Sequence, residues 1–419
     1  MPYTKHDFET ILKQAGLPLP VADIQIAPGV CNDVAKNIER LGISGDILLV
    51  ADMHTFNAAG RGLMDRLRDQ ELRHLVFPEG LKPDVQYVTQ IQEEAQNCRL
   101  ILAVGSGTIN DLCKRASYQL DIPYIIYGTA PSMNGYASAN ASIIEHNLKH
   151  TLPAHLPTAI YMDTEVLTNA PMRLIHSGLG DSLCRTTAQT DWLLSHLLFN
   201  TPYSAVPFQL LMETESRVFS RAETLAQRDT RAIEDLSALL ILSGLGMFFA
   251  GGSQPASQGE HLIAHAIEAF FPALPETYHG EQIGVTTLFM SRLQHHLLDA
   301  GPWALPPYQA DTRLFERLLP AETAKHCQME FQEKAYDSQE SAAVTQYLQE
   351  NWVDFRHQLQ KTMLPTSTLE NVLKAACAPA TPEALGWKAE DFHHACRHAM
   401  LLRNRFTFLD IARLTENWG

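Results

Sequence analysis

Short apolar runs alternate with amphipathic stretches through the first third of the chain. The runs at 46–51 (DILLVA), 74–77 (HLVF), 100–104 (LILAV) and 124–127 (YIIY) read as strands, and the stretches 32–41, 58–69, 84–97 and 108–119 between them carry helical spacing. Strands separated by helices of this length predict βαβ units and a mostly parallel sheet, with ligand loops at the strand C-termini. Beyond about residue 163 helical patterns dominate: 187–198, 205–227, 231–249, 259–270 and 280–300. The expectation is an α/β domain over 1–165 followed by an all-α domain over 166–419. The stretch 301–390 is more polar and rich in Glu, Gln and Pro, and is expected to be an insertion or lid-like helical elaboration, with a last helix at 391–404.

Composition narrows the function. The 419 residues carry a formal net charge of -15, with 45% hydrophobic and 19% charged residues. Such a balance argues against nucleic acid or an anionic membrane surface as the main partner, since both call for clustered Lys and Arg. No run of about 18 uncharged apolar residues occurs, so no membrane span is expected. The N-terminal stretch lacks the apolar core of a signal peptide. Seven scattered cysteines without a CxxC predict a reducing, cytoplasmic setting; Cys184 is expected to be a small buried residue rather than a metal ligand.

The strand LILAV runs into Gly105, Ser106, Gly107, Thr108 and Ile109, which open a helix. A pyrophosphate must approach backbone closely there and face the helix N-terminus, so Cβ atoms are unwelcome. After YIIY comes Gly128, then Thr129, Ala130, Pro131 and Ser132, with hydroxyls spaced for a phosphate or amide. Asp52 ends the DILLVAD run, where a carboxylate can accept from a ribose hydroxyl or cap the next helix. Three loops on one sheet edge favour a dinucleotide, NAD(H) or NADP(H).

The second half supplies metal chemistry. Asp181 lies in HSGLGDSLCR, His261 and His265 share one helix face in GEHLIAHAIE, and His279 opens YHGEQIGV. A carboxylate with imidazoles from different helices is what a catalytic divalent cation needs. Spacing leaves His261 and His265 interchangeable. Zinc, nickel and iron are not separable from such a donor set.

The blocks AVGSGTINDLCK, GTAPSMNGYASANASI, HSGLGDSLCRTTAQTDW, SGLGMFFAGGSQPASQGEHLIAHAIE and HGEQIGV, with the tail RNRFTFLDIA, resemble the sn-glycerol-1-phosphate dehydrogenases, within the dehydroquinate synthase-like and iron-containing alcohol dehydrogenase superfamily. The resemblance runs from about residue 45 to 300, plus the tail. It implies a Rossmann-like N-terminal domain and a helical C-terminal domain. It also implies a metal, usually zinc, on Asp181, His261 and His279, with His265 and Asp181 at the chemistry and dinucleotide contacts from Gly105 to Ile109, Thr129 to Ser132 and Ser138. The implied reaction interconverts dihydroxyacetone phosphate, a phosphorylated triose, and sn-glycerol 1-phosphate. Asn134 stands where the family has Asp, at the substrate; Asn hydrogen-bonds but carries no charge. A dehydrogenase of an unphosphorylated polyol such as glycerol, a dehydroquinate synthase-like lyase and a dinucleotide-binding regulator without catalysis are the rival readings. Arg185 and Lys149 are substrate-phosphate candidates by position, and 301–390 could serve an interface in a homo-oligomer.

Overall fold

Every strand expected from an apolar run forms, and others join them. The computed structural model describes residues 2–145 and 148–419; the side chain of Lys149 lies outside the described residues. In chain order the strands are β1 (Asp23–Ala27), β2 (Ile47–Asp52), β3 (Leu72–Phe77), β4 (Leu100–Gly105), β5 (Tyr124–Gly128), β6 (Asn140–Glu145), β7 (Leu148–Pro153) and β8 (Ala159–Asp163). Six make one parallel sheet in the order β1-β8-β5-β4-β2-β3, and β6 pairs antiparallel with β7. Residues of β4, β5 and β8 are buried throughout, which is why they read as unbroken apolar runs rather than alternating ones.

The helices used below are α1 (Gly107–Leu120), α2 (Met172–Leu183), α3 (Arg185–Phe199), α4 (Thr230–Ala250), α5 (Gly259–Phe270), α6 (His279–Ala300), α7 (Ser338–Gln360) and α8 (Phe408–Thr415). The chain divides into two units: Met1–Ser182 with Val206–Gly252, and Leu183–Ala205 with Ser253–Gly419. α4 therefore belongs with the sheet, although it follows the expected boundary at 165 by many residues. It is long and apolar enough to suit a bilayer span, but 89% of its apolar window is buried inside the protein. Gly244 shows how closely it packs: a Cβ there would lie 2.6 Å from the Asn134 carbonyl oxygen.

The chain over 205–227 does not make the one long helix that its periodicity predicts. It forms three short ones, Val206–Gln209, Met212–Ser220 and Ala222–Ala226. The second unit holds one large apolar core, to which Trp303, Phe315, Phe331, Leu348 and Phe355 contribute beside Leu262, Ile263, Leu297 and Phe408. This corrects the lid-like expectation for 301–390. The helices Thr312–Leu318, Ala321–Gln332 and Ser338–Gln360 each bury a stripe in the common core, and the polar composition belongs to the opposite faces.

The loop after β5 is gripped from behind by α2. A Cβ on Gly178 would stand 1.8 Å from the Pro131 carbonyl oxygen, so only glycine permits this approach. Gly178→Ala should cost about 1–3 kcal/mol, the range for overpacking a tight contact, read as a lower urea midpoint at unchanged slope. An unchanged midpoint would show that the helix and loop can separate without loss.

Candidate metal and dinucleotide site

The nucleotide side is built on a sheet edge. The chain passes outward from β2 to β3 and then returns to β4 on the other side of β2. The C-termini of β2 and β4 thus flank a point where the winding reverses, the place where open α/β sheets bind ligands. Asp52, Gly105 to Ile109 and Thr129 to Ser132 end neighbouring strands of this edge. A Cβ on Gly105 would lie 2.5 Å from that of Ile109, so the turn into α1 requires glycine. The Ser106 hydroxyl makes no cap bond to α1, and Ser106, Gly107 and Thr108 are half-buried at its start. The helix itself leaves the first N–H groups of this turn without a partner, as a pyrophosphate site requires. Asp52 accepts the Thr55 N–H at 2.8 Å, as a helix cap does.

The segment 129–140 is fixed internally. Thr129 donates its N–H to the Gly105 carbonyl, the Tyr136 hydroxyl bonds the Ala130 carbonyl, and Ser177 donates to the Ser132 carbonyl. The Asn134 N–H donates to Oδ2 of Asp181 at 2.8 Å, which orients this buried carboxylate at the end of α2. The side-chain nitrogen of Asn134 is buried and meets no partner among the described residues. Ser138, expected at the dinucleotide, is buried with its hydroxyl engaged by Gly135, Asn140 and Lys114.

Lys114 was not singled out by the sequence reading. It is fully buried, and its ammonium bonds the carbonyls of Gly135 at 2.6 Å and Asn140 at 3.1 Å, with Asp111 3.8 Å away. A positive residue inside the block AVGSGTINDLCK was the available signal. Burial lowers its pKa to about 8, against the pull of Asp111.

In the second unit three imidazoles converge. The His261 ring lies 5.0 Å from that of His279 and 6.4 Å from that of His265, and the His265 and His279 rings are 5.9 Å apart. α5 carries the first two, four residues apart, and His279 is the first residue of α6. His261 is buried, while His265 and His279 are half-buried. Nδ1 of His261 lies 3.0 Å from the carboxylate of Glu260. A carboxylate only accepts, so that nitrogen carries the proton and Nε2 carries the lone pair a cation binds. The donor set fits a divalent metal on this ground. Cys184 is buried and donates to the Ala256 carbonyl at 3.5 Å; it also lies among donor atoms of Glu260 and His261 that fall within 4.8 Å of one another.

A glycine turn on a sheet edge and a histidine cluster with an oriented ring are each what a metal- and nicotinamide-dependent dehydrogenase requires. A family model described as iron-containing alcohol dehydrogenase matches residues 25–171. A protein of Bacillus subtilis (strain 168) named glycerol-1-phosphate dehydrogenase, NAD(P)+, is 31% identical over 297 residues, covering 68% of this chain and 75% of its own. A relative of the same name from Bacillus velezensis is 28% identical over 96% of this chain and 92% of its own, whereas the match to one from Geobacillus thermodenitrificans, at 33%, spans 62% of that protein. An alcohol dehydrogenase from Oenococcus oeni shares the fold at a TM-score of 0.63 and 14% identity, over 96% of this chain and 98% of that one. The maleylacetate reductase of Rhizobium sp. strain MTP-10005 does so at 0.60 and 17%, over 95% and 97%. The chain belongs to the glycerol-1-phosphate dehydrogenase family.

The buried Lys114 gives a pH signature. Its native pKa near 8 lies below the ordinary 10.5, so from pH 8 to 10.5 the folded state has shed a proton that the unfolded chain still holds. Stability conferred relative to Lys114→Met should therefore rise with pH across that window, by up to about 3 kcal/mol, and stay level below it. Chemical denaturation of both proteins along a pH series checks this; a flat difference would mean the ammonium stays charged.

Proposed function

We propose that this protein interconverts dihydroxyacetone phosphate and sn-glycerol 1-phosphate with NAD(H) or NADP(H), using a metal held by Asp181, His261 and His279. The observation that carries the reading is the His261–His279 pair with the His261 ring oriented by Glu260. The names of the relatives support the substrate pair and the cofactor class.

Asp52 would take the ribose hydroxyls, and the N–H groups from Gly105 to Ile109 would hold the pyrophosphate, with Thr129 and Ser132 lining the next loop. A carboxylate at position 52 repels a 2′-phosphate and so favours NAD(H). The buried side-chain nitrogen of Asn134 would donate to a substrate oxygen, using a group that has no partner among the described residues. Asp181 is held ready for its role by the Asn134 N–H. When bound, a divalent cation supplies Lewis-acid polarisation of the substrate carbonyl, and the dinucleotide supplies the hydride. His265, half-buried beside the other two rings, would pass the proton between product oxygen and solvent. The family resemblance favours zinc as the metal, and nickel or iron would fit the same donor set.

The test is loss of NADH or NADPH absorbance with dihydroxyacetone phosphate, with dihydroxyacetone and with a dehydroquinate-forming substrate. Turnover of the phosphorylated triose with stoichiometric cofactor oxidation is expected. Faster turnover of unphosphorylated dihydroxyacetone would assign a polyol dehydrogenase instead, and reaction without net cofactor consumption would assign a lyase. His279→Ala should lose its metal and at least about a hundredfold in turnover while keeping its circular dichroism; full activity in metal-free His279→Ala would sink the mechanism.

A further inference from the structure

We infer that Glu260 is a positioning residue for the metal, acting through His261 and itself locked by Thr187 and the start of α5. The inference rests on the reading of His261 as a metal ligand. Glu260 is wholly buried, and among the described residues its ion-pair partner is the adjacent imidazole of His261. Such a carboxylate survives in a core only when its oxygens are hydrogen-bonded. Here they are. Oε1 accepts the Gln258 N–H at 2.7 Å and faces Nδ1 of His261 at 3.0 Å, while Oε2 accepts the Thr187 hydroxyl at 2.9 Å.

The bonds to Glu260 come from different elements. Gln258 precedes the first residue of α5, His261 follows Glu260 on that helix, and Thr187 stands on α3. The carboxylate cannot rotate without giving up one of them. The ring of His261 is thereby fixed in one tautomer, its Nδ1–H pointing at Glu260 and its Nε2 lone pair pointing the opposite way. A negative partner on Nδ1 also pushes electron density toward Nε2 and makes it a better donor to a cation.

Two features separate this role from plain core packing. The residue is charged where a Gln of the same shape would fill the space, and its neighbour in sequence is a ring in the histidine cluster rather than an apolar contact. A Gln can still accept from Gln258 and His261 through its amide oxygen, with its amide nitrogen donating to the Thr187 oxygen. Glu260→Gln thus keeps the shape and removes the charge. Glu260→Asp keeps the charge and shortens the reach.

The experiment measures zinc affinity by competition with a chromophoric chelator on the purified full-length protein, together with the thermal midpoint of the metal-free form. Glu260→Gln should bind zinc about 10- to 100-fold more weakly, as loss of such a partner commonly does, with the metal-free midpoint close to wild type. Thr187→Val should weaken zinc in the same direction by less. Unchanged zinc affinity in Glu260→Gln would overturn the inference. His261→Ala serves as the reference: if it binds zinc as wild type does, the ligand assignment fails rather than the role of Glu260. Cobalt replacement adds a further outcome. A thiolate-to-cobalt absorption band lost in Cys184→Ser would put the ion on Cys184, Glu260 and His261, and overturn the positioning role in favour of direct ligation.

Discussion

Much of the second unit hangs on one buried carboxylate. Asp191, in the middle of α3, accepts the N–H of Gly259 at 3.0 Å, the N–H of Phe408 at 3.1 Å and the side-chain amide of Gln294 at 3.1 Å. Gly259 and Phe408 are the first residues of α5 and α8, and Gln294 stands on α6. Two helix starts leave unpaired N–H groups and a partial positive charge, and both point at the same acid. Burial, and after it the charge of Glu260, push Asp191 up to about 8, while those same donors pull it down. The direction of α5 and the rotation of α6 decide where His261, His265 and His279 stand. A helix that could slide along its axis would scatter the three rings, so the geometry of the cluster is inherited from a residue that is not in it.

The tail completes the same arrangement, which explains why RNRFTFLDIA reads as a motif although it carries no chemistry of its own. Thr407 and Asp410 close a capping box at α8. Asp410 also takes the buried Lys334 at 2.7 Å, and Lys334 bonds the carbonyls of Met400 and Arg405. Breaking one partner of such a pair leaves an uncompensated buried charge, so its members must be kept together. Arg405, whose pKa burial lowers to about 10, bonds the Ser253 hydroxyl ahead of α5 and lies within electrostatic reach of Glu260.

The sequence made the fold legible where burial is two-sided. β4 and β5 are apolar at every position and announce themselves; β1 (DIQIA) buries alternate residues over a short span and passes for a loop. β8 is fully buried but lacks a glycine turn after it to mark it as a strand end. The hairpin of β6 and β7 is rich in polar residues and gave no signal. For the site, residue types and spacing brought out the histidines, Asp181 and the glycine turn. Lys114, Glu260 and Asp191 stayed hidden, because a charge in sequence looks solvated until packing shows it enclosed, and Thr187 because a lone hydroxyl in a helix carries no signal of its partner. Glu260 had one visible trace, its place directly before His261 in GEH.

Asn134 is where backbone and side chain part company. Its N–H orients Asp181, and that bond is made whatever side chain the position carries. An aspartate there would set a second carboxylate on the residue that grips the first, and like charges at close range raise one another's pKa or demand a cation. With Asn the grip remains and the second charge is gone. What the side chain can offer changes in kind: the amide adds a donor, where a carboxylate only accepts. The departure therefore leaves the backbone grip on Asp181 intact and changes only what the side chain can donate.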